Sequence, residues 1–186
     1  MELDKAIKSR HSVKKFKENK KPDWRDIIEA IDSSRYAPMA GNIFTLKFIL
    51  IDDEEKIKKL ADAAQQQFVG KVKYLVVICS NPSMLINAYD DKGEIYNKQQ
   101  TGAAIQNFLL KLEDLKLSTC WIGYFEEDMV KRELKIPDNI QVEALFPIGY
   151  ESEIKYTRKI KPNLENFLYF NSYGNKKMKV PQKIDV

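Results

Sequence analysis

One uninterrupted apolar run limits the folds that this chain of 186 residues can adopt. Residues 74–79 (Tyr-Leu-Val-Val-Ile-Cys) contain no charged or strongly polar position. A strand with one face in water alternates apolar and polar side chains, whereas a strand covered on both faces has no such requirement. The run therefore predicts a central strand with protein packed against both of its faces.

The other patterns predict helices and strands in mixed order. Several stretches repeat apolar residues every three or four positions, as the buried face of a helix does. The predicted helices are residues 2–10, a stretch that starts at Asp23 and includes Ile31, and residues 54–68, 98–116 and 126–134. The predicted strands are residues 48–51, 74–79 and 142–148, with a short apolar piece at 120–122. Helices and strands do not alternate strictly, so the fold class is α+β, and no repeat or linker divides the single domain expected over residues 1–186.

The composition argues against several classes of protein. Hydrophobic residues make up 44% of the chain and charged residues 31%, which is typical of globular rather than disordered proteins. The net charge of +4 is spread along the sequence, so no nucleic-acid partner is expected. No apolar stretch is long enough for a membrane span, and the first residues are too charged for a signal peptide. Because only Cys79 and Cys120 are present and no metal-ligand spacing occurs, we expect a cytoplasmic protein with neither a disulfide nor a metal site.

Groups that catalyse reactions by themselves are scarce. His11 is the single histidine, and no GxSxG segment accompanies it. The glycine-rich phosphate loops GxGxxG and GxxxxGK[ST] do not occur either. An enzyme with so few acid–base groups would take its chemistry from an organic cofactor.

Residues 10–14 (Arg-His-Ser-Val-Lys) form a candidate anion site. In an extended segment, Arg10, Ser12 and Lys14 point to one side. Arginine offers a bidentate fork to a phosphate, and lysine offers a point charge. A solvated basic turn would explain the same residues, and the segment alone does not decide between the two readings.

Several segments, in order, resemble the nitroreductase superfamily. Residues 10–16 (Arg-His-Ser-Val-Lys-Lys-Phe) are similar to its opening Arg-Arg/His-Ser-x-Arg/Lys-x-Phe, and residues 37–42 (Ala-Pro-Met-Ala-Gly-Asn) to its Ala-Pro-Ser-x-x-Asn. Residues 101–110 (Thr-Gly-Ala-Ala-Ile-Gln-Asn-Phe-Leu-Leu) resemble its central helix. Residues 117–125 (Leu-Ser-Thr-Cys-Trp-Ile-Gly-Tyr-Phe) resemble the Leu-Gly-x-Cys-Trp-Ile-Gly-x-Phe stretch that follows, and residues 146–150 (Phe-Pro-Ile-Gly-Tyr) its last strand.

This resemblance implies a fold, a cofactor and a reaction. The fold is a three-layer α+β architecture with a mostly antiparallel central sheet between helices. Independently of the resemblance, the aromatic residues after Pro162 predict a C-terminal arm, about residues 162–186, that is exchanged with a second copy and so buries them. The cofactor is FMN, reduced by NADH or NADPH, in sites that the two chains of a homodimer share. The reaction is hydride transfer to flavin N5, followed by electron transfer to a nitroarene-like or quinone-like acceptor in a two-step ping-pong mechanism.

The resemblance also implies roles for individual residues. The FMN phosphate and ribityl chain would be held by Arg10, Ser12, Lys14 and Arg158, with His11 nearby. The flavin ring bound by the partner subunit would be contacted by Pro38, Met39 and Asn42. The ring bound by the same chain would be contacted by Gln66 and by the backbone of Ile122 and Gly123. Cys120 and Trp121, which have apolar neighbours, are expected to be core residues instead.

Two departures from the superfamily pattern leave the reaction open. Residues 44–46 (Phe-Thr-Leu) stand where the superfamily commonly has Gln-Pro-Trp, and Gln100 stands where its central helix often starts with Asp. Residues 80–98 could also cover the site as a lid. The alternative functions are therefore reductive dehalogenation, flavin fragmentation, or flavin binding without turnover.

Overall fold

The strand predicted over residues 74–79 lies at the centre of the sheet. In the computed structural model, which describes residues 1–152 and 161–178, each residue of this strand is buried. Within these ranges the sheet has four strands, β1 (Leu46–Ile51), β2 (Tyr74–Ser80), β3 (Ser118–Thr119) and β4 (Gln141–Gly149), in the order β1-β2-β4-β3. Each neighbouring pair is antiparallel, as expected.

Helices cover both faces of this sheet. Their bounds are α1 (Leu3–Ser9), α2 (Trp24–Ser33), α3 (Glu54–Ala63), α4 (Ser83–Tyr89), α5 (Asp91–Asp114) and α6 (Glu127–Leu134). Short 3-10 helices occupy Ser34–Tyr36, Ala40–Asn42, Gln67–Lys71 and Leu164–Asn166. Asp23 and Asp53 begin α2 and α3, and the carboxylate of each accepts hydrogen bonds from backbone N–H groups of the first turn.

The side chains of β2 alternate between two hydrophobic cores. Leu75 and Val77 pack in one core with residues of α3 and α6. Val76 and Ile78 pack in the other core with residues of α2 and α5. Because both faces of β2 meet helices, no position in the strand favours a polar side chain. This arrangement confirms the three-layer α+β fold.

Two predicted helix boundaries are wrong. α3 ends at Ala63 rather than near residue 68, because Gln65 takes a left-handed φ of 53° and a 3-10 helix follows. α5 begins at Asp91 rather than near residue 98. Residues 80–98 are therefore mostly helical, formed by α4 and the first two turns of α5.

A β-bulge shapes the interior near one end of β2. Ile78 pairs with Ala144 and Cys79 pairs with Val142, which leaves Glu143 as the extra residue on β4. The Glu143 carboxylate accepts hydrogen bonds from the Ser80 hydroxyl and, at 2.9 and 3.0 Å, from Nζ of Lys98 on α5. The bulge thus ties β2, β4 and α5 together through a mostly buried polar cluster.

The chain divides into two compact units, Met1–Ile154 and Lys155–Val186. In the second unit the structure describes residues 161–178, where the Asn163 side chain accepts a hydrogen bond from Glu165 N–H and caps the 3-10 helix. The rings of Tyr169 and Tyr173 lie 4.8 Å apart, and Phe167 is exposed. None of the helices in the described ranges combines the length and the apolar character needed to cross a lipid bilayer.

Candidate functional site

The segment after α1 runs along the short strand β3. Ser12 forms a parallel bridge with Thr119, and Val13 N–H donates to the Thr119 carbonyl oxygen at 2.9 Å. Val13 and Phe16 are buried and anchor the segment, whereas Ser12 and Lys14 lie on its exposed side. The sequence therefore places a hydroxyl and an ammonium group together at the surface beside β3.

The two cations of this segment are not neutralised. Among the described residues, no carboxylate forms an ion pair with Arg10 or Lys14. Lys14 Nζ instead lies 5.7 Å from the ring centroid of Phe68, in the 3-10 helix that follows Gln66. Arg10 is half-buried at the end of α1. Two cations of one short segment, both without a carboxylate partner among the described residues, favour the binding of an anion at this surface.

His11 differs from its cationic neighbours because it has an acidic partner. Its Nδ1 lies 2.9 Å from the Ser9 carbonyl oxygen, and its Nε2 lies 3.2 Å from both carboxylate oxygens of Glu151. Partial burial lowers the pKa of His11, but the hydrogen bonds to Ser9 and Glu151 outweigh it and raise the pKa above the ordinary 6.5. His11 therefore joins the basic segment to the end of β4.

The backbone at Ile122 and Gly123 presents one open N–H group. Ile122 forms a bridge with Leu145, and its own N–H donates to the Leu145 carbonyl oxygen at 3.0 Å. The next N–H, that of exposed Gly123, has no hydrogen-bond partner among the described residues. A Cβ built on Gly123 would meet only the Trp121 Nε1 atom, at 3.8 Å, so this backbone is open to an approaching flat molecule.

The residues around this backbone connect it to the basic segment. Burial raises the pKa of the Cys120 thiol, while the charge of Lys14 and a hydrogen bond with Ser12 act in the opposite direction. Cys120 therefore lies beside both of them and is the buried thiol that we expected. Trp121 is not the core residue that we expected, because 43% of it is exposed while its ring packs 5.8 Å from that of Phe146.

The loop before β1 has an unusual backbone. Gly41 and Asn42 both adopt left-handed conformations, with φ of 56° and 57°. Pro38 and Asn42 are exposed, and Met39 is half-buried. Met39 also lines a shallow surface depression, together with Ser34, Ala37, Phe44, Leu46, Gln100 and Ala104. This loop is therefore accessible to another molecule.

A family comparison decides the classification. The model of the nitroreductase family matches residues 7–150. The chain belongs to the nitroreductase family. The matched range includes the basic segment, the loop at residues 37–42 and the backbone at Gly123.

Known nitroreductase-family proteins match most of the chain. The proposed NADH dehydrogenase/NAD(P)H nitroreductase of Archaeoglobus fulgidus is 30% identical over 156 residues, which cover 81% of this chain and 86% of that protein. A solved nitroreductase family protein of Clostridium novyi NT has a TM-score of 0.74 and 30% identity, covering 94% of this chain and 96% of that one. A solved FMN-dependent nitroreductase of Clostridium difficile R20291 has a TM-score of 0.76 and 22% identity, and the match covers 90% of this chain and 98% of that one.

Within this nitroreductase fold, the residues proposed for the site fall into two groups. The first group is the segment from Arg10 to Lys14, which pairs with β3 through Ser12 and Thr119, together with Ile122 and Gly123 a few residues after β3. Gln66 lies two positions before Phe68, whose ring Lys14 contacts. The second group is the loop with Pro38, Met39 and Asn42. No described hydrogen bond or ion pair joins the loop to the first group. Arg158 lies outside the described residues.

One residue that contacts the loop was not among the predicted site residues. Gln100, on α5, makes three hydrogen bonds with the loop and the residue before β1. A signal for it exists in the sequence, since Asn97, Gln100 and Thr101 place polar side chains on the face of α5 that continues with Ala104 and Phe108. Polar residues at buried helical positions need partners, and here the partner of Gln100 is the loop.

Proposed function

We propose that this chain is an FMN-dependent oxidoreductase that works as a homodimer. It takes hydride from NADH or NADPH and reduces an electron-poor acceptor, such as a nitroarene or a quinone, in two half-reactions. The observation that carries the proposal is the pairing of Ser12 with Thr119, since it sets the segment of Arg10 and Lys14 beside β3, from which the chain continues to the open N–H of Gly123. The Clostridium difficile relative, which is named as FMN-dependent, supports the choice of cofactor.

These residues fit the two chemically different ends of FMN. The phosphate carries about two negative charges near neutral pH, and Arg10, Ser12 and Lys14 offer a fork, a hydroxyl and an ammonium group to it. The flat ring needs an unobstructed surface, and the exposed backbone at Gly123 provides both that surface and a hydrogen-bond donor. When bound, FMN supplies hydride acceptance at N5 and two-electron transfer, and the protein binds and orients it.

The protein groups in this proposal hold the cofactor and do not act as acids or bases. The single histidine is engaged by Glu151, and both cysteines are buried. Burial raises the pKa of Cys79 to about 11, so its thiol stays protonated near neutral pH. The proposed tasks of the chain are therefore to bind the phosphate, place the ring against Gly123 and leave one ring face open to nicotinamide and acceptor.

The proposed homodimer follows from the second group of site residues. Pro38, Met39 and Asn42 are accessible but have no described hydrogen bond or ion pair with the basic segment of their own chain. We therefore assign them to the flavin ring of the partner subunit. On α5, Ile95 is 55% exposed and Gly102 follows two helical turns later on the same face, which offers a surface for the second chain. The exposed Phe167 and Tyr173 are proposed to cover that chain as part of an exchanged arm.

Anaerobic titration of the FMN-loaded dimer tests this function. NADH or NADPH should bleach the flavin absorbance stoichiometrically, and a nitroarene or a quinone should restore it. A chain that takes up no FMN would overturn the proposal. A yellow protein that neither nicotinamide bleaches would instead be a flavin-binding protein, and reoxidation by a halogenated aromatic alone would indicate reductive dehalogenation.

A further inference from the structure

The loop before β1 needs support from outside itself. Gly41 and Asn42 are consecutive left-handed residues, and the only regular structure around them is the short 3-10 helix Ala40–Asn42. Glycine and asparagine tolerate the left-handed region, but two such residues in succession leave the loop with other backbone conformations of similar energy. Contacts with neighbouring elements help to select the observed conformation.

Gln100 supplies such contacts on both sides of the left-handed pair. Its Oε1 accepts a hydrogen bond from Ala40 N–H at 3.2 Å. Its Nε2 donates to the Ile43 carbonyl oxygen at 3.1 Å and to Oγ1 of Thr45 at 2.9 Å. Gln100 is 6% exposed, so water does not compete effectively for these bonds. One amide thus fixes the loop before and after Gly41 and Asn42.

The hairpin of α4 and α5 supports the loop from a second direction. A Cβ on Gly41 would lie 2.7 Å from the Tyr89 hydroxyl oxygen, so the tyrosine sits directly over the glycine. The Tyr89 ring packs edge-on against Tyr96 at 5.2 Å. At Gly93 a Cβ would lie 2.5 Å from Ile86 Cα, so α4 touches the backbone of α5. The helical segment at residues 80–98 therefore packs against the loop through Tyr89.

Of residues 44–46, which differ from the Gln-Pro-Trp common in the superfamily, only one has an accessible side chain. Thr45 and Leu46 are 4% and 3% exposed, and both face the interior. Phe44 is 42% exposed and lines the same surface depression as Met39. Because Gln100 bonds to the backbone of Ile43 and to the side chain of Thr45, it fixes the residues on either side of Phe44.

We propose that Gln100 is a positioning residue that holds the ring of Phe44 beside the flavin and thereby favours planar aromatic acceptors. This inference rests on the proposed function, because only a bound flavin makes the loop part of a reaction site. A fixed aromatic ring stacks on a quinone or a nitroarene, whereas a compact inorganic oxidant gains nothing from it. For a quinone, NAD(P)H supplies hydride and solvent supplies a proton, and the products are NAD(P)⁺ and the hydroquinone.

Hydrogen exchange on the FMN-free protein tests the positioning role directly. Gln100→Met keeps the length of the side chain but removes all three hydrogen bonds, so the amides of residues 40–45 should exchange about tenfold faster than in the parent. Gln99→Met is the matched control, since Gln99 is the exposed neighbour on the same helix and should leave the exchange unchanged. Thr45→Val removes one acceptor with little change in volume and provides a second variant if Gln100→Met does not fold. Unchanged exchange in a folded Gln100→Met or Thr45→Val protein would overturn the role.

Steady-state kinetics with two acceptors test the effect on specificity. With menadione, Gln100→Met and Phe44→Ala should each lower kcat/KM about tenfold, chiefly through a higher KM, because stacking on Phe44 is lost. With ferricyanide, Phe44→Ala should stay within about twofold of the parent, as should Gln99→Met with either acceptor. Equal losses with both acceptors in Phe44→Ala would overturn the role of Phe44. A chain that binds no FMN would instead overturn the proposed function, while the exchange experiment would still decide whether Gln100 holds the loop.

Discussion

His11 Nε2 lies 3.2 Å from each carboxylate oxygen of Glu151, a residue just after β4 and 140 positions after His11 in the chain. The imidazole also contacts the Ser9 carbonyl oxygen, and the two contacts outweigh partial burial and raise the pKa of His11 above 6.5. The folded protein therefore binds the imidazole proton more tightly than the unfolded chain does. The resulting stabilisation is fully present below the unfolded pKa and is lost as the pH rises through the folded pKa.

Glu151→Gln should consequently destabilise the protein more at pH 5.5 than at pH 8.5. The difference between parent and variant should stay below about 1 kcal/mol, since the pair is only partly buried. Urea unfolding of the FMN-free proteins at both pH values measures it. His11→Gln in both backgrounds is the control, because it should remove the pH dependence of the difference. A difference that grows with pH would contradict the ion pair.

Gly123→Ala should weaken FMN binding without weakening the fold. A Cβ at this position meets only the Trp121 Nε1 atom, at 3.8 Å, and the glycine does not take a left-handed φ. The FMN-free variant should therefore unfold within about 0.5 kcal/mol of the parent, as exposed substitutions usually do. If the flavin ring lies against this backbone, the methyl group should raise the Kd for FMN at least about tenfold, or about 1.4 kcal/mol. Titration of FMN fluorescence measures the Kd, and an unchanged value would argue against this placement of the ring.

Lys14→Gln should distinguish the contribution of the FMN phosphate to binding from that of the flavin ring. Lys14 has no carboxylate partner among the described residues, so its charge is available to the phosphate. The variant should bind FMN about tenfold more weakly, because a charge-assisted hydrogen bond is lost. Its affinity for riboflavin, which lacks the phosphate, should stay within about twofold of the parent, and added salt should narrow the difference for FMN. Lys17→Gln is the control, since Lys17 is an exposed lysine three positions further along the chain and is not among the residues proposed for the site. An equal loss for both flavins would contradict a phosphate contact.

The sequence predicts the layers of the fold better than it predicts the ends of its helices. Six consecutive apolar residues in β2 are stable only between two cores, so the three-layer arrangement follows from their chemistry. The end of α3 carries no such signal, because Gln65 takes a left-handed φ without a glycine or proline to indicate it. The start of α5 is hidden by Gly93, which reads as a helix breaker although the contact with α4 requires it.

In the candidate site, too, some features can be predicted from the sequence and others cannot. The alternation of buried Val13 with exposed Ser12 and Lys14 is readable from the sequence, because the segment is extended. The polar positions on α5 indicate that Gln100 needs a partner, but the loop lies more than fifty positions away, so no local pattern identifies the loop as that partner. The exposure of Trp121 depends on how the chain leaves β3, and its apolar neighbours alone suggest a core residue.

Gly102→Trp should convert the proposed homodimer to a monomer. Glycine inside a helix costs about 1 kcal/mol relative to alanine, yet no atom within 4 Å of a Cβ at Gly102 requires it in this chain. A second chain that packs closely on α5 would require it, and exposed Ile95 lies two turns earlier on the same face. The indole should prevent that approach, halve the mass measured by light scattering and abolish FMN binding, because each proposed site needs both chains. Asp62→Trp is the control and should keep the parent mass, because Asp62 is an exposed residue of α3, on the opposite face of the sheet. Retention of the two-chain mass by a folded Gly102→Trp protein would place the interface elsewhere.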